Sequence, residues 1–177
     1  MKLNAKFLGR CLEGLFLLLI PVIIIYSIIN VFSPGLLVGE KVLTSMEDLY
    51  GFNMQKLSLL RHSLFIVVSI IGTAFIVSGF WFGAKIARLF GNGEFFTESS
   101  AQYFTKLKKM TFFWGLYNVT QMVFCSKIFM PKMPLKLFFI SIGMMSLFHL
   151  LIFIVFAAIA GVITRGARLQ KDQDLTV

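Results

Sequence analysis

Polar side chains are rare in the apolar parts of this chain, and three of them could do chemistry. Asn118 and Gln121 lie three residues apart and so share one face of a helix, while His149 interrupts the last long apolar run. Polar groups inside a membrane are costly, which makes them the first candidates for a functional site. One interpretation is a polar or proton-sensitive pocket centred on His149, because histidine titrates near neutral pH. The other is hydrogen bonding between helices, which is favoured because no second charge accompanies His149 in its run.

Residues for other kinds of chemistry are not arranged to act together. We find no nucleophile paired with a base, no paired carboxylates within the apolar runs and no glycine-rich phosphate loop. His62 and His149 lie far apart with no carboxylate near either in sequence, so no metal site is predicted. Glu13 is expected to face water at the cytoplasmic edge of the first run. We therefore expect a protein that is not an enzyme and that holds no metal or cofactor.

The composition indicates a membrane protein. The chain has 177 residues, of which 58% are hydrophobic and 14% are charged, against about 25% charged residues in a soluble domain. So much apolar surface would leave large exposed patches in water, so membrane lipid is the expected surrounding. The net charge is +9, and the basic residues flank the apolar runs, where they meet headgroups. No nucleic-acid-binding motif accompanies them, so direct binding of nucleic acid is not expected.

Four apolar runs approach or exceed the ~20 residues that cross a bilayer. We predict a single membrane domain, 1–177, with spans at about 12–32, 62–84, 110–130 and 137–164, a cytoplasmic loop at 85–109 and a cytoplasmic tail at 165–177. Basic residues are more numerous in the loop, tail and N-terminal segment than in the outer segments, which places both termini in the cytoplasm. The predicted fold class is an all-α integral membrane protein. It is a four-transmembrane-helix bundle with an amphipathic outer segment from Lys41 onward and an inner interfacial helix.

The segments near the second and fourth spans carry local signals. Gly91 and Gly93 mark a turn, and Thr97 is a typical N-cap for a helix that begins at Glu98. That helix is expected to lie in the inner interface before the third span. Small residues four apart allow close helix packing, and the two such pairs are Gly79 with Gly83 and Ala157 with Gly161. We predict that they pack the second and fourth spans together, with homodimerisation as the competing use.

Two short stretches resemble a bacterial membrane protein family known as domain of unknown function 2975. They are GNGEFFTESSAQYFTKLKKM, after the second run, and the closing RGARLQKDQDLTV. The matching residues are Gly93, Phe96, Thr97 and Leu107, then Gly166, Ala167, Leu169, Asp172, Asp174, Leu175, Thr176 and Val177. The resemblance implies a four-span protein of the bacterial inner membrane. Members are often encoded beside a small DNA-binding regulator of the phage-repressor type, which implies a cytoplasmic protein partner.

Both family-like stretches are predicted to be cytoplasmic, so we expect them to meet. In one interpretation the tail folds back onto residues 91–110 and seals the underside of the bundle. In the other, the tail is a linear docking motif whose terminal carboxylate and apolar side chains enter a groove of the partner. The docking candidates are Arg165, Arg168, Leu169, Asp172, Asp174, Leu175 and Val177 in the tail, with Gly93, Phe96 and Thr97 in the loop. We predict a binding or regulatory protein; the alternatives are a small transporter or channel subunit and an accessory subunit of a larger membrane complex.

Overall fold

The protein is all-helical throughout the described part of the chain. A computed structural model describes residues 5–32, 48, 51 and 58–174, without the side chains of residues 125, 127 and 174. Within them are four helices and no strands, as the sequence predicts: α1 (Ala5–Phe32), α2 (Leu59–Gly91), α3 (Glu98–Phe129) and α4 (Leu135–Asp174). The predicted amphipathic outer segment from Lys41 falls almost wholly outside the described residues.

Three of the helices, α1, α2 and α4, are long and apolar enough to cross a membrane. The chain is therefore a multi-pass membrane protein. The described part of α3 is not apolar enough to count among these candidate membrane spans. Its first half is rich in lysine, and its second half carries Asn118 and Gln121. The crossing of the membrane by α3 stays a prediction.

All four helices extend beyond the predicted spans, and α3 and α4 do so the most. The predicted interfacial helix is not a separate element, because α3 runs without a break from Glu98 to Phe129. It contains no proline, and its one glycine, Gly115, packs against His149 of α4. The described part of the tail, 165–174, does not fold back either, because it continues α4 as helix as far as Asp174. At ~1.5 Å per residue the 40 residues of α4 extend about 60 Å, roughly twice the thickness of the hydrocarbon.

The helices form an open row. α1 packs on α2, α2 on α3 and α3 on α4, and within the described residues no other pair of helices has Cα atoms within 8 Å. The main apolar cluster comprises Ile86, Phe104, Leu107, Ala160 and Ile163, from α2, α3 and α4. It lies toward the end of the bundle that contains Gly9, Gly91, Phe96 and Gly166, which we call the closed end.

Candidate functional site

The turn between α2 and α3 is fixed by its own hydrogen bonds. α2 ends in a Schellman motif: the Glu94 N–H donates to Leu89 O at 2.9 Å and the Gly93 N–H to Phe90 O at 3.0 Å. Gly93 has a φ of +83°, a left-handed conformation that favours glycine. The predicted cap of α3 is present, because Thr97 Oγ1 accepts a hydrogen bond from the Ser100 N–H at 3.2 Å. The turn is therefore ordered by local sequence.

Aromatic rings join this turn to the tail. The Phe90 ring lies 4.7 Å from that of Phe95 and 5.9 Å from that of Phe104, measured between centroids. Phe96 lies against Gly166 of α4, so closely that a Cβ atom at position 166 would lie 2.9 Å from Phe96 Cε1. Because Gly166 has no side chain, it leaves room for the Phe96 ring. The two family-like stretches therefore meet in the structure, as expected from the sequence.

From Arg165 onward the tail is a largely exposed helical segment. Its exposed residues include Arg165, Arg168, Leu169, Lys171 and Asp172. Leu169 is 64% exposed and lies beyond the apolar part of its helix. Three of the predicted docking positions, Leu175, Val177 and the side chain of Asp174, lie outside the described residues.

Sequence analysis missed the contact between α1 and α2 at the closed end. A Cβ atom on Gly9 would lie 2.6 Å from Gly91 N and 2.8 Å from Ala87 O, so the two backbones touch. A signal for this contact exists, because Gly79, Gly83, Ala87 and Gly91 recur every four residues in α2. Each step of four residues turns about 40° around the helix axis, so the stripe gradually changes the neighbour that it faces.

This rotation explains why the small residues do not pair as predicted. Gly79 faces α3, where a Cβ atom would lie 3.0 Å from Met110 Cε, and Gly83 faces the Phe16 ring of α1. Gly161 of α4 has room for a Cβ atom with no other atom within 4 Å. Ala157, also on α4, is half-buried. The α2 stripe therefore packs against α3 and α1 rather than against α4; homodimerisation through Gly161 stays a prediction.

Glu13 and Arg88 form an ion pair between α1 and α2. The Arg88 Nε–H donates to Glu13 Oε1 at 2.7 Å, and a second guanidinium nitrogen also contacts this oxygen. The Glu13 side chain is only 15% exposed and that of Arg88 is 55% exposed. The expectation that Glu13 faces water is therefore wrong. The close approach of α1 to α2 at the neighbouring Gly9 contact brings the carboxylate to a cation instead.

His149 is held by hydrogen bonds from both sides of its ring. Its Nδ1 lies 2.7 Å from Met145 O, and its Nε2 lies 2.9 Å from Asn118 Nδ2. A carbonyl oxygen only accepts, so Nδ1 carries the proton and Nε2 accepts from the Asn118 amide. The neutral ring is thus satisfied at both nitrogens. His149 is 8% exposed, and the Trp114 ring lies edge-on at 4.8 Å between centroids.

The predicted polar site is brought together only in part. Asn118 and His149 meet, whereas Gln121 is half-buried further along α3, and both ring nitrogens of His149 are already used. Two comparable contacts were not anticipated. Thr73 Oγ1 donates to Ser27 Oγ at 2.7 Å, between α1 and α2. The Tyr117 hydroxyl donates to Val68 O, between α2 and α3. Each pair of neighbouring helices therefore has a polar tie; we call these three contacts the polar middle.

The part of the chain that the structure describes contains no cluster of potential metal ligands. No three histidine, cysteine, aspartate or glutamate residues there lie together in a way that could hold a metal ion. The expectation that the protein uses no metal or cofactor stays a prediction.

The fold and the site define an all-helical, multi-pass membrane protein whose turn and tail meet at one end. A family model described as a protein of unknown function (DUF2975) matches residues 40–177, and the chain belongs to this family. The match covers α2, α3, α4 and both stretches that meet at the closed end, whereas α1 precedes it. No curated protein and no solved structure gives a match.

Proposed function

We propose that this DUF2975 protein is a non-enzymatic binding or regulatory protein of the bacterial inner membrane that presents its closed end to a cytoplasmic protein partner. The observation that carries the proposal is the contact between Phe96 and Gly166. It joins the ordered turn at 91–97 to the exposed part of α4 at 165–173. We call these two segments together the composite surface.

The distribution of charge supports a cytoplasmic closed end. The cations near it include Lys6, Arg10, Lys85, Arg88, Arg165 and Arg168. Basic residues beside spans favour the cytoplasmic side. Because α1 begins and α4 ends at the closed end, the proposal puts both termini in the cytoplasm and requires α3 to make a fourth crossing.

The chemistry of the composite surface indicates the kind of partner. Leu169 projects an exposed apolar side chain beside Arg168, and Lys171 follows two residues later. An exposed leucine flanked by cations suits an apolar pocket with an acidic rim. A small regulator of the phage-repressor type, which the family resemblance implies, is the partner that we propose. Its capture at the membrane would regulate it without any chemical reaction.

A small transporter or channel subunit is the alternative, together with an accessory subunit of a larger complex. The transporter alternative depends on His149 in the polar middle. Because both ring nitrogens are hydrogen-bonded in the neutral form, the geometry favours a structural bond between α3 and α4.

The partner should be lost when the composite surface changes charge. The full-length chain and the variants Arg168→Glu and Leu169→Glu would be purified from the native host in mild detergent, and co-purified proteins quantified by mass spectrometry. In both variants we expect the amount of the co-purified partner to fall about tenfold or more. A tenfold fall corresponds to the loss of ~1.4 kcal/mol of binding free energy, which one exposed anchor residue can supply.

The matched control is Lys136→Glu, which reverses an exposed charge at the opposite end of α4. It should retain the partner, and all variants should accumulate to equal folded amounts. The same co-purified proteins from every variant, and from a chain truncated after Thr164, would contradict the proposal.

A further inference from the structure

All four helices line an apolar cavity of about 470 Å³. α1 contributes Leu12 and Phe16, and α4 contributes Ile152 and Phe156. α2 and α3 supply the remaining wall, from the level of Trp114 to that of Phe104 near the closed end. The volume lies within the ~300–1,000 Å³ of small-molecule sites. The bundle therefore contains enough space for a ligand.

The wall is suited to hydrocarbon. Thr111 is the only hydroxyl residue among the described lining residues, and its Oγ1 donates to Leu107 O of its own helix at 2.9 Å. Apart from Thr111, the indole N–H of Trp114 and the weakly accepting thioether of Met110, the side chains that line the cavity offer no hydrogen-bond donor or acceptor. A polar or charged ligand would lose its hydration without compensation, and water would lack partners.

The cavity is closed at one end and open at its side. Toward the closed end the wall includes Phe90 and Phe104, whose rings are 5.9 Å apart between centroids, and the Phe95 ring packs on Phe90. α1 and α4 both line the cavity, yet within the described residues they have no Cα atoms within 8 Å of each other. Among the described residues, the gap in the wall therefore lies between these two edge helices. In a membrane protein such a lateral opening meets lipid acyl chains.

Charges at the closed end complement a lipid headgroup. Arg10 follows Gly9, which touches Gly91, and Arg165 precedes Gly166, which touches Phe96. Both arginines are exposed. They thus lie at the same end of the bundle, one on each of the helices that flank the opening. Cations at a membrane surface attract anionic headgroups by about 1 kcal/mol each.

We propose that this cavity binds one acyl chain of an anionic membrane phospholipid, which enters between α1 and α4 with its headgroup near Arg10 and Arg165. The site is distinct from the proposed partner surface, because it uses the interior of the bundle and shares only Arg165 with the composite surface. The apolar wall favours the acyl chain of the lipid, and the two arginines favour an anionic headgroup.

A tryptophan in the wall provides the measurement. The chain has two tryptophans; Trp114 lines the cavity, and Trp81 is 47% exposed and does not. The full chain carrying Trp81→Phe would be reconstituted in phosphatidylcholine vesicles with increasing amounts of a lipid whose acyl chains are brominated, because bromine quenches nearby indole fluorescence. Brominated phosphatidylglycerol should half-quench Trp114 at about a tenfold lower mole fraction than brominated phosphatidylcholine.

Two sets of variants separate the parts of the site. Ile152→Phe adds bulk to the wall and should abolish the extra quenching by phosphatidylglycerol. The control Ile154→Phe, at a position of α4 that is 52% exposed and outside the wall, should leave it unchanged. The double variant Arg10→Gln with Arg165→Gln should abolish the tenfold preference while acyl-chain quenching remains, and it decides the matter if Ile152→Phe does not fold.

Equal quenching by the two lipids in the parent chain would overturn the proposal. So would a phosphatidylglycerol preference that survives both Ile152→Phe and the loss of the two arginines. Trp114 shielded from both lipids in a chemically cross-linked dimer would assign the cavity to a second copy of the chain instead.

Discussion

The closed end and the polar middle hold neighbouring helices together in different ways. At the closed end the backbones of α1 and α2 touch at Gly9 and Gly91, and an apolar cluster joins α2, α3 and α4. In the polar middle the observed polar ties are single contacts between neighbouring helices, such as the one from Asn118 to His149. The closed end therefore depends on close backbone and apolar packing, whereas the polar middle depends on polar side-chain atoms.

This difference teaches how a bundle is stabilised when lipid surrounds it. Lipid tails are as apolar as the helices, so association depends on close packing and on hydrogen bonds rather than on removal of apolar surface from water. A touching backbone has no room to adjust, whereas a hydrogen bond inside a membrane contributes ~0.6 kcal/mol on average. We therefore expect substitutions at the closed end to have larger effects than substitutions in the polar middle.

The largest effect is expected for Gly9→Ala. The new methyl group would lie within 3 Å of the backbone of α2, so the two helices would have to separate. Overpacking of this kind costs about 2–3 kcal/mol, enough to reduce the folded fraction strongly. The free energy of unfolding would be measured in mixed micelles by denaturant titration, followed by circular dichroism.

Gly14→Ala on the same helix is the matched control, because a Cβ atom there meets no atom within 4 Å. It should be neutral or slightly stabilising, since alanine favours a helix by up to ~1 kcal/mol over glycine. Equal losses for the two variants would mean that the closed end does not depend on backbone contact, and the comparison would lose its basis.

An intermediate effect is expected from the tie between α3 and α4. His149→Leu and Asn118→Leu should each reduce the free energy of unfolding by about 1–2 kcal/mol, because each leaves a polar partner unsatisfied. The double variant should lose less than the sum of the two, with a coupling of about 0.6–1.7 kcal/mol. The same micelle titration measures all three variants in one double-mutant cycle.

The same His149→Leu chain also bears on the transporter alternative. If it folds in normal amounts but loses a solute flux or a pH response in vesicles, the polar middle serves transport rather than packing. A coupling energy near zero would likewise contradict the structural role of the tie.

Local features were predictable from the sequence, whereas the choice of neighbour was not. The capping hydroxyl of Thr97 acts within four residues, and Asn118 and His149 stood out because polar groups are costly in apolar runs. The helix that Gly79 faces depends on the rotation of α2 about its axis and on the position of α3. The bond from Tyr117 ends on a backbone carbonyl, Val68 O, which every residue possesses. The pairing of Gly9 with Gly91 joins positions far apart in the chain. The repeat of small residues in α2 indicates close packing at Gly91, but it does not identify Gly9 as the partner.

The smallest effect is expected for Thr73→Val, which removes one hydroxyl of the polar middle while nearly preserving shape. Thr73 Oγ1 donates to Ser27 Oγ of α1 and also lies 2.8 Å from Ser69 O of its own helix. We expect a loss of about 0.5 kcal/mol in the same titration. Thr164→Val is the control, because Thr164 Oγ1 bonds only to Ala160 O of its own helix among the described contacts. A loss for Thr73→Val that equals the loss for Gly9→Ala would show that polar ties and backbone contacts are equally important, contrary to the difference between the two regions.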